Sequence, residues 1–488
     1  MFFHKKAKSY RACLWFFVVF ATIGLLFIIF AAVQAWRVAS NLPLLVGEGQ
    51  GELSTSTHTQ TTLLLPMLLG LEKPQTYLLL FQNNTELRPG GGFIGSYAVV
   101  RVNKGKPEIL KVEGTETLDN AATKANLPAP PAPIKKYLGI DRWFFRDSNW
   151  SPDFSESAKQ ALALYKLEGG LEAQNVTMVL GITPTVIETL MNRVGELTVQ
   201  GVLFTPNNVT EKLQYEVEYG FAKKGIDFTE RKRILEPFMR ALTLKISTDF
   251  ILHPDQYVQL LQALAEQKHI MIYSPDSAAT ALLSQTSLVG TVASSTGDYL
   301  LWVDANLAAL KTDHALVRTL SYTLTRDQQK QAWVGSARMS YEHRGTFDWR
   351  TSRYRSYVRL YVPLGATLRS VSTQGNRRVT IPLSAVDQGQ ELGYQWFGTF
   401  ISIEPKETKQ LEFVYTLPDS VGGQINKGLY TLFVQKQLGV FNTDLTLDID
   451  FNKKIQSANP AEMSEKWGDM KYEIQTDLVQ DREFKVNF

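Results

Sequence analysis

Apolar and polar positions divide this chain into stretches of different period. Residues 14–33 form a run without a single charge, long enough to cross a hydrocarbon core of about 30 Å as a helix. Short apolar runs at 77–81, 93–102 and 109–112 predict strands, with Gly105 in the turn between the last two. The period then lengthens. Ala158, Leu162 and Tyr165 fall on one helical face behind Asp153 and Glu156, a capping-box-like start that uses Asp for the usual Ser or Thr. A strand at 176–180, helices at 186–191, 205–220, 228–244 and 254–267, and a strand at 269–273 follow. Such alternation predicts a layered α/β domain.

Beyond residue 296 the helical runs stop. Tyr354, Ser356, Val358, Leu360 and Val362 alternate with Arg353, Arg355, Tyr357, Arg359 and Tyr361. Similar alternation runs through Leu411, Phe413 and Tyr415, and through Leu445, Leu447, Ile449 and Phe451. This predicts an all-β, Ig-like sandwich. The expected division is a cytoplasmic amino terminus at 1–13, an anchor at 14–36, a linker at 37–73, an α/β domain at 74–300, a sandwich at 301–452 and a charged tail at 453–488. Within the linker, 47–62 is rich in Gly, Ser and Thr, while the apolar stretch 63–71 is too short to span and is expected to dock or to lie at the membrane interface.

Charge gives the anchor a direction. His4, Lys5, Lys6, Lys8 and Arg11 precede it, so the positive-inside rule places the amino terminus in the cytoplasm and the bulk of the chain outside. The run is too long, and too rich in Phe and Ile, for a cleaved signal peptide. The only cysteine, Cys13, precedes the run, which leaves the external part to be held by its cores. A formal net charge of +3 with dispersed Arg and Lys excludes nucleic acid as the expected partner.

Local catalytic motifs are missing: there is no Walker sequence, no GxSxG and no HExxH, and the six histidines are scattered. Two polar stretches stand out. In 82–96, Asn83, Glu86 and Arg88 adjoin Gly90, Gly91 and Gly92 at a strand end. Arginine grips phosphate oxygens in two-pronged fashion, and glycine amides form an anion cradle. The same residues also read as a glycine-rich turn stapled by a Glu–Arg pair. In 146–153, Arg146, Asp147, Asn149 and Asp153 offer oxygen ligands for a hard cation such as Mg2+, or else a pinned loop and a helix cap. Further along, Arg231 and Arg233 sit where a helix begins, a position that favours anions.

The phrases FQNNTELRPGGGFIGS, RDSNWSPDF, FTERKR, YVRLYVP and VQKQLG resemble a bacterial membrane-anchored family, domain of unknown function 4012, over about 74–440. More distantly, the order of strand, Arg-bearing loop, strand, helix and Arg-rich helix resembles the LytR-CpsA-Psr envelope proteins. That resemblance implies glycopolymer transfer from a polyprenyl-pyrophosphate lipid, with Mg2+ as cofactor. It would make Arg88 and Asp147 catalytic, with Arg231 or Arg233 reaching the pyrophosphate. Glu86 would stand near the acidic metal-binding position, beside Asp147 and Asp153, which the loop 146–153 itself offers as oxygen ligands. This chain departs from the pattern where an Asp-Thr pair is typical, having Gly92, Phe93, Ile94 and Gly95. The competing expectation is a non-catalytic envelope protein that binds glycan or serves adhesion, for which the Arg and Tyr row at 353–361 would be the contact face.

Overall fold

The computed structural model describes Leu64, residues 66–227 and residues 234–488. The anchor expected at 14–36, the Gly/Ser/Thr-rich linker, Arg231 and Arg233 lie outside these residues. Among the described residues, no helix is long and apolar enough to cross a membrane.

A mixed five-stranded sheet organises the first half. Its strands are β1 (Gln75–Asn83), β2 (Phe93–Asn103), β3 (Lys106–Gly114), β4 (Met178–Ile182) and β5 (Ile270–Tyr273), in the order β3-β2-β1-β4-β5. Only β1 and β4 run parallel. Alternation along β1 sends Tyr77 and Leu79 into one apolar layer and Leu78 and Leu80 into the other. Both faces of the sheet are therefore covered, which is why this strand is an uninterrupted apolar run.

Helix α1 (Thr115–Ala121) and helix α2 (Phe154–Leu167) pack on one face. Asp153 caps α2 through Oδ1, which accepts the Glu156 N–H at 3.1 Å. On the other face lie α3 (Thr185–Val194), α4 (Val209–Tyr215), α5 (Leu235–Leu252) and α6 (Pro254–Glu266). A five-residue π-helical stretch, Glu216–Gly220, continues α4. Leu64, Leu68 and Leu69 are buried in this same layer, so docking, one of the two expectations, describes the stretch before β1.

The second half is two seven-stranded sheets face to face. Its strands are β6 (Asp298–Asn306), β7 (Leu316–Asp327), β8 (Ala332–His343), β9 (Tyr354–Pro363), β10 (Thr367–Gln374), β11 (Arg378–Ile381) and β12 (Asp387–Glu391). These are followed by β13 (Tyr394–Ile403), β14 (Thr408–Thr416), β15 (Leu429–Gln435), β16 (Asp444–Asp450), β17 (Ser457–Asn459), β18 (Lys471–Asp477) and β19 (Arg482–Asn487). One sheet has the order β11-β10-β14-β8-β7-β16-β18, and the other β12-β13-β9-β6-β15-β19-β17. Leu320, Leu360, Phe413 and Leu447 belong to the core between them.

The stretch expected to be a charged tail is corrected here. Residues 453–488 supply β17, β18 and β19, and Tyr472, Phe484 and Val486 are fully buried. Their alternation is short, and the charged residues between them face outward, so no long apolar run marks them.

Buried polar groups join the halves. Lys268 Nζ donates to Asp481 Oδ1 at 2.6 Å and to the Lys436 carbonyl at 3.1 Å. Lys436 Nζ donates to the carbonyls of Gln267 and Val440 at 2.9 and 2.6 Å. Burial pushes the Lys436 ammonium down to about 7.

Candidate functional site

The loop between β1 and β2 is the meeting point of the two halves. Leu87 N donates to Asp313 Oδ2 at 3.0 Å, Asn306 N to the Leu87 carbonyl at 2.9 Å, and Asp313 N to the Thr85 carbonyl at 3.1 Å. Asn84 Nδ2 reaches the Gly439 carbonyl at 2.9 Å, and Gln437 Nε2 the Arg88 carbonyl at 3.2 Å. Asn83 turns inward and accepts from the Thr85 hydroxyl at 2.7 Å.

Arg88 is not a free anion grip. Its guanidinium is buried, with Nη2 at 3.2 Å from Asp147 Oδ1 and 3.3 Å from Glu86 Oε1, and Nη1 at 2.5 Å from the Asn306 carbonyl. Its donors are thus taken up by the protein itself. Burial raises the Glu86 carboxyl above its usual range, and the opposing attraction of Arg88 is the next largest influence.

The glycines serve close packing. A Cβ on Gly92 would lie 2.5 Å from the Asn83 carbonyl carbon, and one on Gly90 would lie 2.5 Å from Ser157 Oγ. Gly91 has φ +128° and its Cβ would collide with Gln82. Gly90 N donates to the Asn149 carbonyl at 3.0 Å, and Asn149 Nδ2 to the Gly92 carbonyl at 2.7 Å. Of the two readings open in the sequence, the stapled turn describes this loop.

Nor do the three acids make a magnesium site. Asp147 Oδ1 is engaged by Arg88, while Asp153 spends Oδ1 on the Glu156 N–H and Oδ2 on the Val292 N–H at 2.8 Å. Among the described residues, no three His, Cys, Asp or Glu side chains converge as metal ligands. Arg146 is also committed, its Nε lying 2.5 Å from Oδ2 of the fully buried Asp119. Asp119 in turn shares its surroundings with Glu168, which burial foremost, then the Asp119 carboxyl, pushes up to about 8. The row at 353–361 is likewise not a free face. Tyr357, Arg359 and Tyr361 are buried, and the Arg359 guanidinium lies 4.9 Å above the Trp150 ring.

What the loop does border is a cavity of about 670 Å³, within the usual size of ligand pockets. It opens at the carboxyl ends of the parallel strands, where Phe81, Gln82 and Asn83 of β1 and Ile182 of β4 line it. Ile187, Val209, Leu213 and Val217 form its apolar wall. Glu86, Gln214, Glu218 and Lys311 supply polar groups, with Lys311 Nζ 2.8 Å from Glu218 Oε1. Gln82 Oε1 and Gln214 Oε1 are buried without a hydrogen-bond partner in the protein. Ring contacts fasten the covering stretch from outside, Trp349 lying 5.2 Å from Tyr219 and 5.9 Å from Tyr215.

Among the described candidate ligand residues, Asn83 and Glu86 line this cavity, with Phe93 and Gly95 of the same loop beside them; Arg88, Gly90, Gly91, Gly92, Arg146, Asp147, Asn149 and Asp153 do not line it. Lys311, Glu218 and Gln214 were not legible. The signal available was the apolar line Val209, Leu213, Val217 at helical spacing, which marks a buried face without saying what it covers.

Residues 72–217 match the family described as "Protein of unknown function (DUF4012)". Two of the resembling phrases, FQNNTELRPGGGFIGS and RDSNWSPDF, fall inside that stretch, and the other three lie beyond it. No curated protein matches the sequence. Among solved structures, a "putative nutrient binding protein" from Legionella pneumophila aligns at 8% identity and a TM-score of 0.26, over 39% of this chain and 71% of that one. An M1 zinc metallopeptidase from Deinococcus radiodurans aligns at 11% identity and a TM-score of 0.18, over 37% of this chain and 43% of that one. This chain therefore spans under half the length of the metallopeptidase.

Proposed function

We propose that this is a membrane-anchored, extracytoplasmic envelope protein that binds a phosphate-linked glycan lipid in the cavity beside β1 and β4, as a carrier or receptor. The cavity is the observation that supports the reading. Its apolar wall of Phe81, Ile182, Ile187, Val209, Leu213 and Val217 suits a polyprenyl or acyl chain. The partnerless carbonyl oxygen of Gln214 suits a hydroxyl donor of a sugar. Lys311 is the cation in the lining and would meet the phosphate, exchanging Glu218 for it.

Binding is favoured over glycopolymer transfer of the LytR-CpsA-Psr kind. Transfer would need Arg88 and Asp147 free to meet a pyrophosphate, and each is bonded to the other in a buried network. The test is to purify the full-length chain from membranes, extract it with organic solvent and identify retained lipid by mass spectrometry. A glycan lipid is expected in the native chain, and about tenfold less in Leu213→Trp, whose indole would fill the cavity without an unpaired charge. Equal lipid in both proteins, or none in either, would overturn the reading.

A further inference from the structure

One end of the five-stranded sheet carries exposed apolar side chains that the cavity does not use. The amino ends of β1 and β4, Gln75 and Met178, lie at this end, opposite the cavity. Leu71 is exposed on the stretch leading into β1, which hydrogen-bonds the β2–β3 turn through Gly70 O and Lys104 N at 2.9 Å. Leu171 is exposed beside Glu172, whose carboxylate pairs with Arg101, the neighbour of Thr76 across the β1–β2 ladder.

Helix α5 brings two more apolar residues to the same end. Helix α3 starts just after the carboxyl end of β4 and, at about 1.5 Å per residue, runs back along the sheet, so its last turn lies at the amino end. There Arg193 Nε binds Asp249 Oδ2 at 2.6 Å, which places the last turn of α5 at that end too. On that turn Ile251 is 74% exposed and Leu252 69%. Leu244, about two turns earlier on the same helix, is 70% exposed. Large aliphatic residues this bare, three on one helix face, mark a surface that is covered in use.

The chain itself says what covers them. The described residues begin with Leu64, docked in the layer of α5, and the sequence before it carries the uncharged run 14–33. The carbonyls of Leu69 and Gly70 accept from Gly105 N and Lys104 N of the β2–β3 turn, so the chain enters the fold at the end where Ile251, Leu252, Leu71 and Leu171 project. Lys73, Lys104, Lys106 and Lys166 are exposed around them, interspersed with the exposed Glu72 and Glu108, so the apolar side chains carry the contact. We propose that this end of the α/β half rests on the lipid surface of the membrane, inserting Ile251 and Leu252, and so turns the cavity away from the bilayer. A tether of some thirty residues keeps the face at high local concentration near the bilayer.

The contact depends on the anchor, not on a ligand in the cavity. Its test uses the full-length chain, with Cys13→Ser, in vesicles of phosphatidylcholine and phosphatidylglycerol. An environment-sensitive fluorophore is attached at Leu252→Cys, or at Phe347→Cys, an exposed position in the sandwich beside the cover of the cavity. Spin-labelled lipid is expected to quench most of the fluorescence at 252 and little at 347, and Ile251→Asp should abolish the quenching at 252 while the thermal transition is kept. A chain that floats with the vesicles but shows no quenching at 252, or equal quenching at both positions, overturns the contact alone. An unquenched label together with a doubled mass in detergent would assign the face to a second copy and also overturns it. A chain that does not float overturns the anchor and the contact together, whatever lipid the cavity retains.

Discussion

Arg88 Nη2 lies 3.2 Å from Asp147 Oδ1 with both side chains buried, so the most conspicuous cation of the glycine-rich loop is a structural fastener. Replacing it strands two acids, Asp147 and Glu86. Arg88→Met is expected to cost about 3–5 kcal/mol, read from urea unfolding of the purified chain. The fraction that stays folded should retain lipid like the native chain. A variant of native stability that loses lipid would restore Arg88 to a ligand-binding role.

Gly92 and Gly105 should respond differently to alanine. A Cβ on Gly92 would meet the backbone of Asn83 and Asn84, which cannot move without shifting β1. Gly105 has φ +73° but open space around it. Gly92→Ala is expected to lose about 3 kcal/mol through overpacking, and Gly105→Ala about 1 kcal/mol through its left-handed backbone alone. Equal losses in thermal unfolding would mean that the loop is not packed as described.

The pair Asp119 and Glu168 should give stability a pH dependence. Glu168 titrates at about 8 in the fold and near 4.5 when unfolded, so the protonated form is preferred by the folded chain. The folded state therefore holds more protons between these values, and stability present below 4.5 is lost as pH rises toward 8. Glu168→Gln keeps an acceptor for the Phe145 N–H, 2.7 Å away in the native protein, and removes the titration. Its unfolding free energy should fall less steeply across this window, and an unchanged slope would show that Glu168 is not the titrating group.

Lys311 should distinguish phosphate from sugar. Lys311→Met is expected to weaken retention of a phosphate-bearing glycan lipid about tenfold, the worth of one charge-assisted hydrogen bond. A neutral glycolipid should be unaffected, because Glu218 is partly exposed and tolerates the loss of its partner. Competition between the two lipids, followed by mass spectrometry, separates these outcomes.

The layered character of the first half was legible because β1 and α2 carry clear periods, and the Asp153 cap was legible from its spacing to Glu156. The strands after 453 were not, since in Tyr472 and Ile474, or Phe484 and Val486, two apolar positions are too few to outweigh the charges between them. The strand end before the loop 82–96 was legible from the apolar run 77–81, and part of the loop borders the cavity. The loop's chemistry was misassigned because nothing local tells that Arg88 will be met by Asp147 and by the Asn306 carbonyl, which lie 59 and 218 positions away. For the same reason Lys311 and Glu218, which meet only in the folded chain, carried no mark.

The bond from Asn84 to the Gly439 carbonyl closes a span of 355 positions. Synthesis proceeds at about 5–20 residues per second, so the loop leaves the ribosome many seconds before the strand segment that completes it. Until then Arg88 already has Asp147 and the Gly92 carbonyl has Asn149, while the bonds to Asn306, Asp313, Gln437 and Gly439 are still unmade. A molecule truncated before residue 436 would keep the strands of the first sheet but leave Asn84 and the Arg88 carbonyl without the partners that Gly439 and Gln437 supply.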